Sequence, residues 1–172
     1  MGRYRETIHE AQEILRVHPK SEIAYWAIGS AYLRMGERSK AKEMFLQSLG
    51  VNPDFPHALN NLGVVVAQEG RTAEAEALFL RAKEILGRKD TNAYTNLGQL
   101  YETTGRRKEA LEMYEAAVAI QPNSGSAWYS VARLRVLAGD GSGAHAALAR
   151  AIELDKALGA RAAKDPAFAA LR

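Results

Sequence analysis

Apolar positions along this chain fall at helical spacing, and the same short pattern returns at a fixed interval. Tyr25, Ile28, Gly29 and Tyr32 stand at i, i+3, i+4 and i+7, which is one face of a helix. Leu59, Leu62, Gly63 and Val66 repeat that face, and Tyr94, Leu97, Gly98 and Tyr101 repeat it again. The fourth copy is Trp128, Val131, Ala132 and Arg135, where a charge replaces the last apolar residue. Gly29, Gly63, Gly98 and Ala132 are thus 34, 35 and 34 residues apart. Gly36, Gly70, Gly105 and Gly139 keep the same intervals, and so do Ala41, Ala75, Ala110 and Ala144. Three small-residue series in one register mark an array of structural repeats.

Each unit reads as two helices. The first ends at a glycine (36, 70, 105, 139), predicted to be a left-handed C-terminal cap. The second carries a small and a large residue one turn apart: Ala41 with Phe45, Ala75 with Phe79, Ala110 with Tyr114, Ala144 with Leu148. Pro53 and Pro122 close two units, since proline cannot continue a helix, and Gly87 and Lys156 hold the equivalent places. Glycine in the middle of a first helix forfeits side-chain contacts. The expected reason is that the neighbouring helix comes too close for anything larger. No alternating β-branched run competes, so the chain reads as all-α.

The run Tyr25-x-x-Ile28-Gly29-x-x-Tyr32, then Ala41-x-x-x-Phe45, then Pro53 resembles the tetratricopeptide-repeat pattern, as does Tyr94 through Pro122. The resemblance covers nearly the whole chain and implies a right-handed α-solenoid of helix-turn-helix repeats with a C-terminal capping helix. As a single domain over residues 1–172 it divides into a half repeat at 2–20, repeats at 22–55, 56–90, 91–124 and 125–156, and a cap at 157–172. Residues 2–19 match the second helix of a repeat, with Thr7, Ala11 and Ile14 in the places of Ala41, Phe45 and Ser48. Met1 falling inside the pattern favours a piece of a longer array; the small Thr7 and Ala11 favour a shortened natural cap. At the other end, Lys156–Lys164 reads as the cap, and Asp165-Pro166 starts a last short helix pinned by Phe168 and Leu171.

Composition narrows the chemistry. The 172 residues carry a net charge of +3 with acids and bases interleaved, and only Arg106, Arg107 and Lys108 run together, which reads as a solvated corner. Nucleic acid is not an expected partner. There is no cysteine, so a disulfide framework, a thiolate metal site and a cysteine nucleophile are all excluded. The four histidines, His9, His18, His57 and His145, lack metal-ligand spacing. No catalytic constellation, cofactor motif or metal set emerges. No stretch reaches the roughly 18 apolar residues of a membrane span. Met1 to Glu6 lacks the apolar core of a secretory signal. The expectation is a cytoplasmic protein with a bacterial flavour of composition, although a longer parent could carry its own address.

Binding is where the pattern points. Opposite the packing face, the first helices carry Trp26 and Ser30; then His57, Asn60 and Asn61; then Asn92, Thr95, Asn96 and Gln99; then Tyr129 and Arg133. The resemblance places these stripes along a concave groove. Asn61 and Asn96 share one repeat position and resemble the asparagine ladder with which some arrays grip extended peptides. Stacked first helices ~10 Å apart would offer one amide for roughly every third residue of an extended ligand, and an amide both donates and accepts. Trp26 and Tyr129 sit beside the core aromatics Tyr25 and Trp128, so each either lines the groove or packs inward. Members that clamp a C-terminal carboxylate need Lys and Asn in the first repeat and Lys and Arg in the third. Here Trp26, Ser30, Asn92 and Asn96 stand there, and the clamp is missing. The expected function is a non-catalytic scaffold for an extended polypeptide. The alternatives are self-association through the N-terminal half repeat, or a substrate-recruiting domain of a larger enzyme.

Overall fold

The computed structural model describes residues 2–171, with side chains to residue 169. Ten α-helices and no strand occur among the described residues. They gather into two compact units, residues 1–87 and 88–172.

The first unit holds α1 (Gly2–Val17), α2 (Glu22–Arg34), α3 (Arg38–Val51), α4 (Pro56–Gln68) and α5 (Thr72–Leu86). α2 pairs with α3 and α4 with α5, while α1 packs on α2 as a second helix without a first. Ile8, Ala11 and Leu15 of α1 meet Ala24 and Ile28. The second unit holds α6 (Asn92–Thr103), α7 (Arg107–Ile120), α8 (Gly125–Leu137), α9 (Gly141–Leu154) and α10 (Ala157–Lys164). A 3₁₀ segment, Pro166–Leu171, follows and lies on α8. The last short helix is therefore 3₁₀ in form, started by Asp165, whose carboxylate accepts the amide of Ala167 at 2.9 Å. The role expected of Leu171 lies outside the described side chains.

Each first helix ends as its glycine predicts. Gly36, Gly70, Gly105 and Gly139 adopt φ between 79° and 82°, a region that any side chain resists. The residue after each glycine reaches back to close the turn: Glu37 to the Tyr32 carbonyl at 2.9 Å, Arg106 to that of Tyr101 at 2.8 Å. This six-to-one bond satisfies a carbonyl that the helix end leaves open.

The mid-helix glycines have the expected steric cause, and the neighbour is an aromatic ring. A Cβ on Gly29 would stand 2.6 Å from the Phe45 ring, and one on Gly63 would stand 2.6 Å from that of Phe79. At Gly98 the obstacle is the Tyr114 ring at 2.9 Å. Phe45 and Phe79 are almost wholly buried by this contact. The corresponding residues of the fourth pair are Ala132 and Leu148, a methyl gained where the opposite side chain is smaller. Arg135, the charge in an apolar place, bonds Glu115 of α7 at 2.7 Å and the Gly143 carbonyl at 3.4 Å. It holds α8 by polar contacts where Tyr32 and Tyr101 use rings.

Gly63→Ala should therefore destabilise the protein. Overpacking costs about 1–3 kcal/mol, against a helix-propensity gain of at most about 1 kcal/mol. Urea unfolding of Gly63→Ala, Phe79→Leu and the double variant checks the cause. The double variant should be more stable than the summed single losses by about 1 kcal/mol; strict additivity would remove the ring as the reason for the glycine.

Candidate binding surfaces

In the first unit the first helices bring together an aromatic cluster and a hydrogen-bonded pair. Trp26 of α2 meets Phe55, in the turn before α4, with ring centroids 6.1 Å apart at 82°. It also meets His57 at 5.5 Å, and Phe55 and His57 are themselves 5.5 Å apart. Trp26 thus packs against the following repeat, and its indole N–H is buried without a hydrogen-bond partner. Four residues on, Ser30 accepts a hydrogen bond from the Asn61 side-chain amide at 3.0 Å. Asn61 is half-buried, and beyond it lies a hollow of about 340 Å³ lined by Leu33, Val64 and Gln68 among others. Asn60, expected on the groove face, is instead buried at 4% exposure and engaged inside the protein. The helical turn of one residue takes it from the inner face into the core.

In the second unit, α6 and α8 enclose a cleft of about 450 Å³. Thr95, Asn96 and Gln99 line one wall; Ser130 and Arg133 line the other. Gln99 is exposed, while Thr95 and Asn96 are half-buried. The Thr95 hydroxyl donates to its own helix, to the Asn92 carbonyl at 3.0 Å, which leaves its oxygen as an acceptor facing the cleft. Arg133 forms an ion pair with Glu102 across the floor. Asn92 is not part of this wall. It is exposed at the start of α6, where Asp90 accepts its backbone amide at 2.7 Å and its side-chain amide at 3.1 Å.

Tyr129, expected as a groove aromatic, borders this cleft but is only 2% exposed. The C-terminal segment covers it: Phe168 packs edge-on at 5.4 Å, the Arg161 guanidinium lies over its ring at 4.6 Å, and its hydroxyl donates to Asp165 at 2.9 Å. Tyr129 thus anchors the cap, and Arg161 takes the exposed position at that end of the cleft. Tyr114 was not anticipated as a cleft residue. Its hydroxyl reaches the cleft wall and bonds Ser130, while burial raises its pKa against the opposing effect of that bond. The sequence did hold a signal, because Phe45 and Phe79 occupy the equivalent places without a hydroxyl. No cluster of metal-ligating side chains occurs among the described residues. No described helix is long and apolar enough to cross a membrane.

Sequence models of the tetratricopeptide repeat match residues 23–55, 54–123 and 95–166. The chain is 36% identical over 94 residues to the photosystem I assembly protein Ycf3 of Rippkaea orientalis, a match covering 48% of this chain and 54% of that one. It is 30% identical over 126 residues to anaphase-promoting complex subunit 3 of Schizosaccharomyces pombe, covering 73% of this chain and 19% of the relative. The chain therefore spans about half the length of the first relative and about a fifth of the second. Among solved structures it resembles MamA, with a TM-score of 0.75 at 21% identity over 92% of both chains. At that identity the likeness lies in the fold.

The Tyr129 anchor gives a pH signature. Burial, with the Asp165 carboxylate alongside, pushes its hydroxyl up from 10.0 to about 12. Below the unfolded value both states keep the proton and the contribution is intact. Between roughly pH 10 and 12 the unfolded chain loses the proton first, so stability falls as pH rises. Chemical unfolding across that range should show the fall in the parent and a flatter profile in Tyr129→Phe. Identical profiles would separate Tyr129 from the alkaline loss.

Proposed function

Because the chain belongs to the tetratricopeptide-repeat family, whose repeats typically mediate protein–protein interaction, we propose that it is a non-catalytic module that binds an extended segment of another polypeptide. The observation that carries this reading is the polar cleft between α6 and α8. Thr95, Asn96 and Gln99 present hydroxyl and amide groups on one wall, and Ser130 and Arg133 face them. A peptide backbone needs donors and acceptors in alternation, and amide side chains supply both. Asn61, at the equivalent repeat position in the first unit, contributes there with one amide hydrogen committed to Ser30. Trp26 and His57 add apolar surface beside it.

Magnitudes set the scale of affinity. Each neutral hydrogen bond nets ~0.5–1.5 kcal/mol, far from the ~8 kcal/mol of micromolar binding. Side chains of the ligand must therefore fill apolar surface as well. A peptide selected from a displayed library on the intact chain supplies the probe. Asn96→Ala/Gln99→Ala should weaken it roughly five- to hundred-fold, with the thermal midpoint little changed. Unaltered affinity in that variant would take the cleft out of the mechanism.

Self-association is a second reading, favoured by α1. Ile14 is 48% exposed although Ser48, Ala82, Ala117 and Ala151, which hold its place in the complete repeats, are buried; Tyr4 and Val17 on the same helix are 39% and 68% exposed. Sedimentation over a concentration series should show assembly that Tyr4→Glu/Ile14→Glu abolishes. A concentration-independent monomer counts against it.

A further inference from the structure

The repeats are not equivalent along one seam. In the first unit, the place where the second helix of one repeat meets the end of the next first helix is closed by charge. Lys42 of α3 bonds Glu69, at the end of α4, at 2.7 Å, and Arg71 bonds the same carboxylate at 3.2 Å. Moving 69 residues along the chain, two repeats on, puts Leu111 in the place of Lys42 and Ala138 in that of Glu69. Gln68 becomes Leu137. The ion pair is gone, and nothing of equal size replaces it.

What remains between α7 and α8 is a hollow of about 290 Å³ lined by Leu111, Leu134, Leu137 and Ala138, with Arg107 and Lys108 on its rim. That is far more than the about 10–15 Å³ that one water needs, and its apolar floor offers water no partners. Leu137 is 44% exposed, more than a core leucine would be. Arg107 and Lys108 are both exposed and, among the described residues, neither forms an ion pair or a side-chain hydrogen bond. Of the neighbouring acids on α7, Glu109 is held by Arg106, and Glu112, one turn beyond Lys108, is exposed and makes no ion pair among the described residues. In the run Arg106-Arg107-Lys108, only the first cation is spent within the fold.

We propose that this seam is a docking notch for a bulky apolar side chain carried on an acidic segment of a partner protein. The leucines take the apolar side chain. Arg107 and Lys108 select the acidic flanks and keep basic segments away. The surface is separate from the polar cleft and does not depend on its role.

The test uses the intact chain and a fluorescein-labelled, aspartate-rich peptide with one central phenylalanine. Counterparts carry serine at the centre, or lysine in place of the aspartates. Anisotropy should show the phenylalanine peptide binding roughly ten- to hundred-fold more tightly than the serine one, weakening as salt rises. Amide shifts should centre on Leu111 and Leu137. The lysine peptide should not bind. Leu111→Lys/Ala138→Glu rebuilds the Lys42–Glu69 pair and should abolish binding while keeping the thermal midpoint. Leu137→Gln, copying Gln68, serves if the pair does not form. Equal binding of the phenylalanine and serine peptides, shifts centred on Thr95 and Arg133, or full affinity in both variants would each overturn the notch.

Discussion

The fold depends on the approach of one aromatic ring to one glycine backbone. Phe45 over Gly29, Phe79 over Gly63 and Tyr114 over Gly98 set how near the two helices of a repeat can lie. Everything on the other side of each first helix follows from that spacing. With the rings committed to the glycines, the opposite faces are left to polar residues, and those faces make the surfaces described above. Gly36, Gly70, Gly105 and Gly139 fix the second half of the geometry by turning the chain back within a few residues.

This division explains what could be read from the sequence. The period, the caps and the need for close approach are written in residues that cannot be exchanged locally, so helix pairs and their order were legible. Positions beside the seam were not. Asn60 and Asn61 are adjacent, and a rotation of one residue puts the first in the core and leaves the second bonded to Ser30. Trp26 and Tyr129 sit next to Tyr25 and Trp128, which the pattern assigns to the core but which are only half-buried, so the helical period alone leaves the direction of each open. Their neighbours decide it. Phe55 and His57 come from the next repeat, and Asp165 and Phe168 come from a segment 36 or more residues away in the chain.

Departures from the repeat are more informative than the repeat itself. Tyr114 differs from Phe45 and Phe79 by one oxygen, and that oxygen carries the packing ring through to Ser130 on the cleft wall. Arg135 replaces a ring with bonds to Glu115 and the Gly143 carbonyl. Leu111 and Ala138 remove a charge pair that Lys42 and Glu69 make in the first unit. Tyr114 keeps its ring over Gly98 while it gains the bond; the other two changes involve α8, whose pair has Ala132 and Leu148 in place of glycine and ring. A repeat array can vary its faces one at a time.

The two tryptophans fall one in each compact unit, and their surroundings differ in kind. The Trp26 indole N–H is dry and has no acceptor, whereas that of Trp128 donates to the Pro122 carbonyl at 2.9 Å. Indole emission responds to such polarity, so the chain carries a built-in optical label for each half. Replacing either indole by phenylalanine leaves a single emitter, and the two halves can then be followed separately as they melt, with no dye attached.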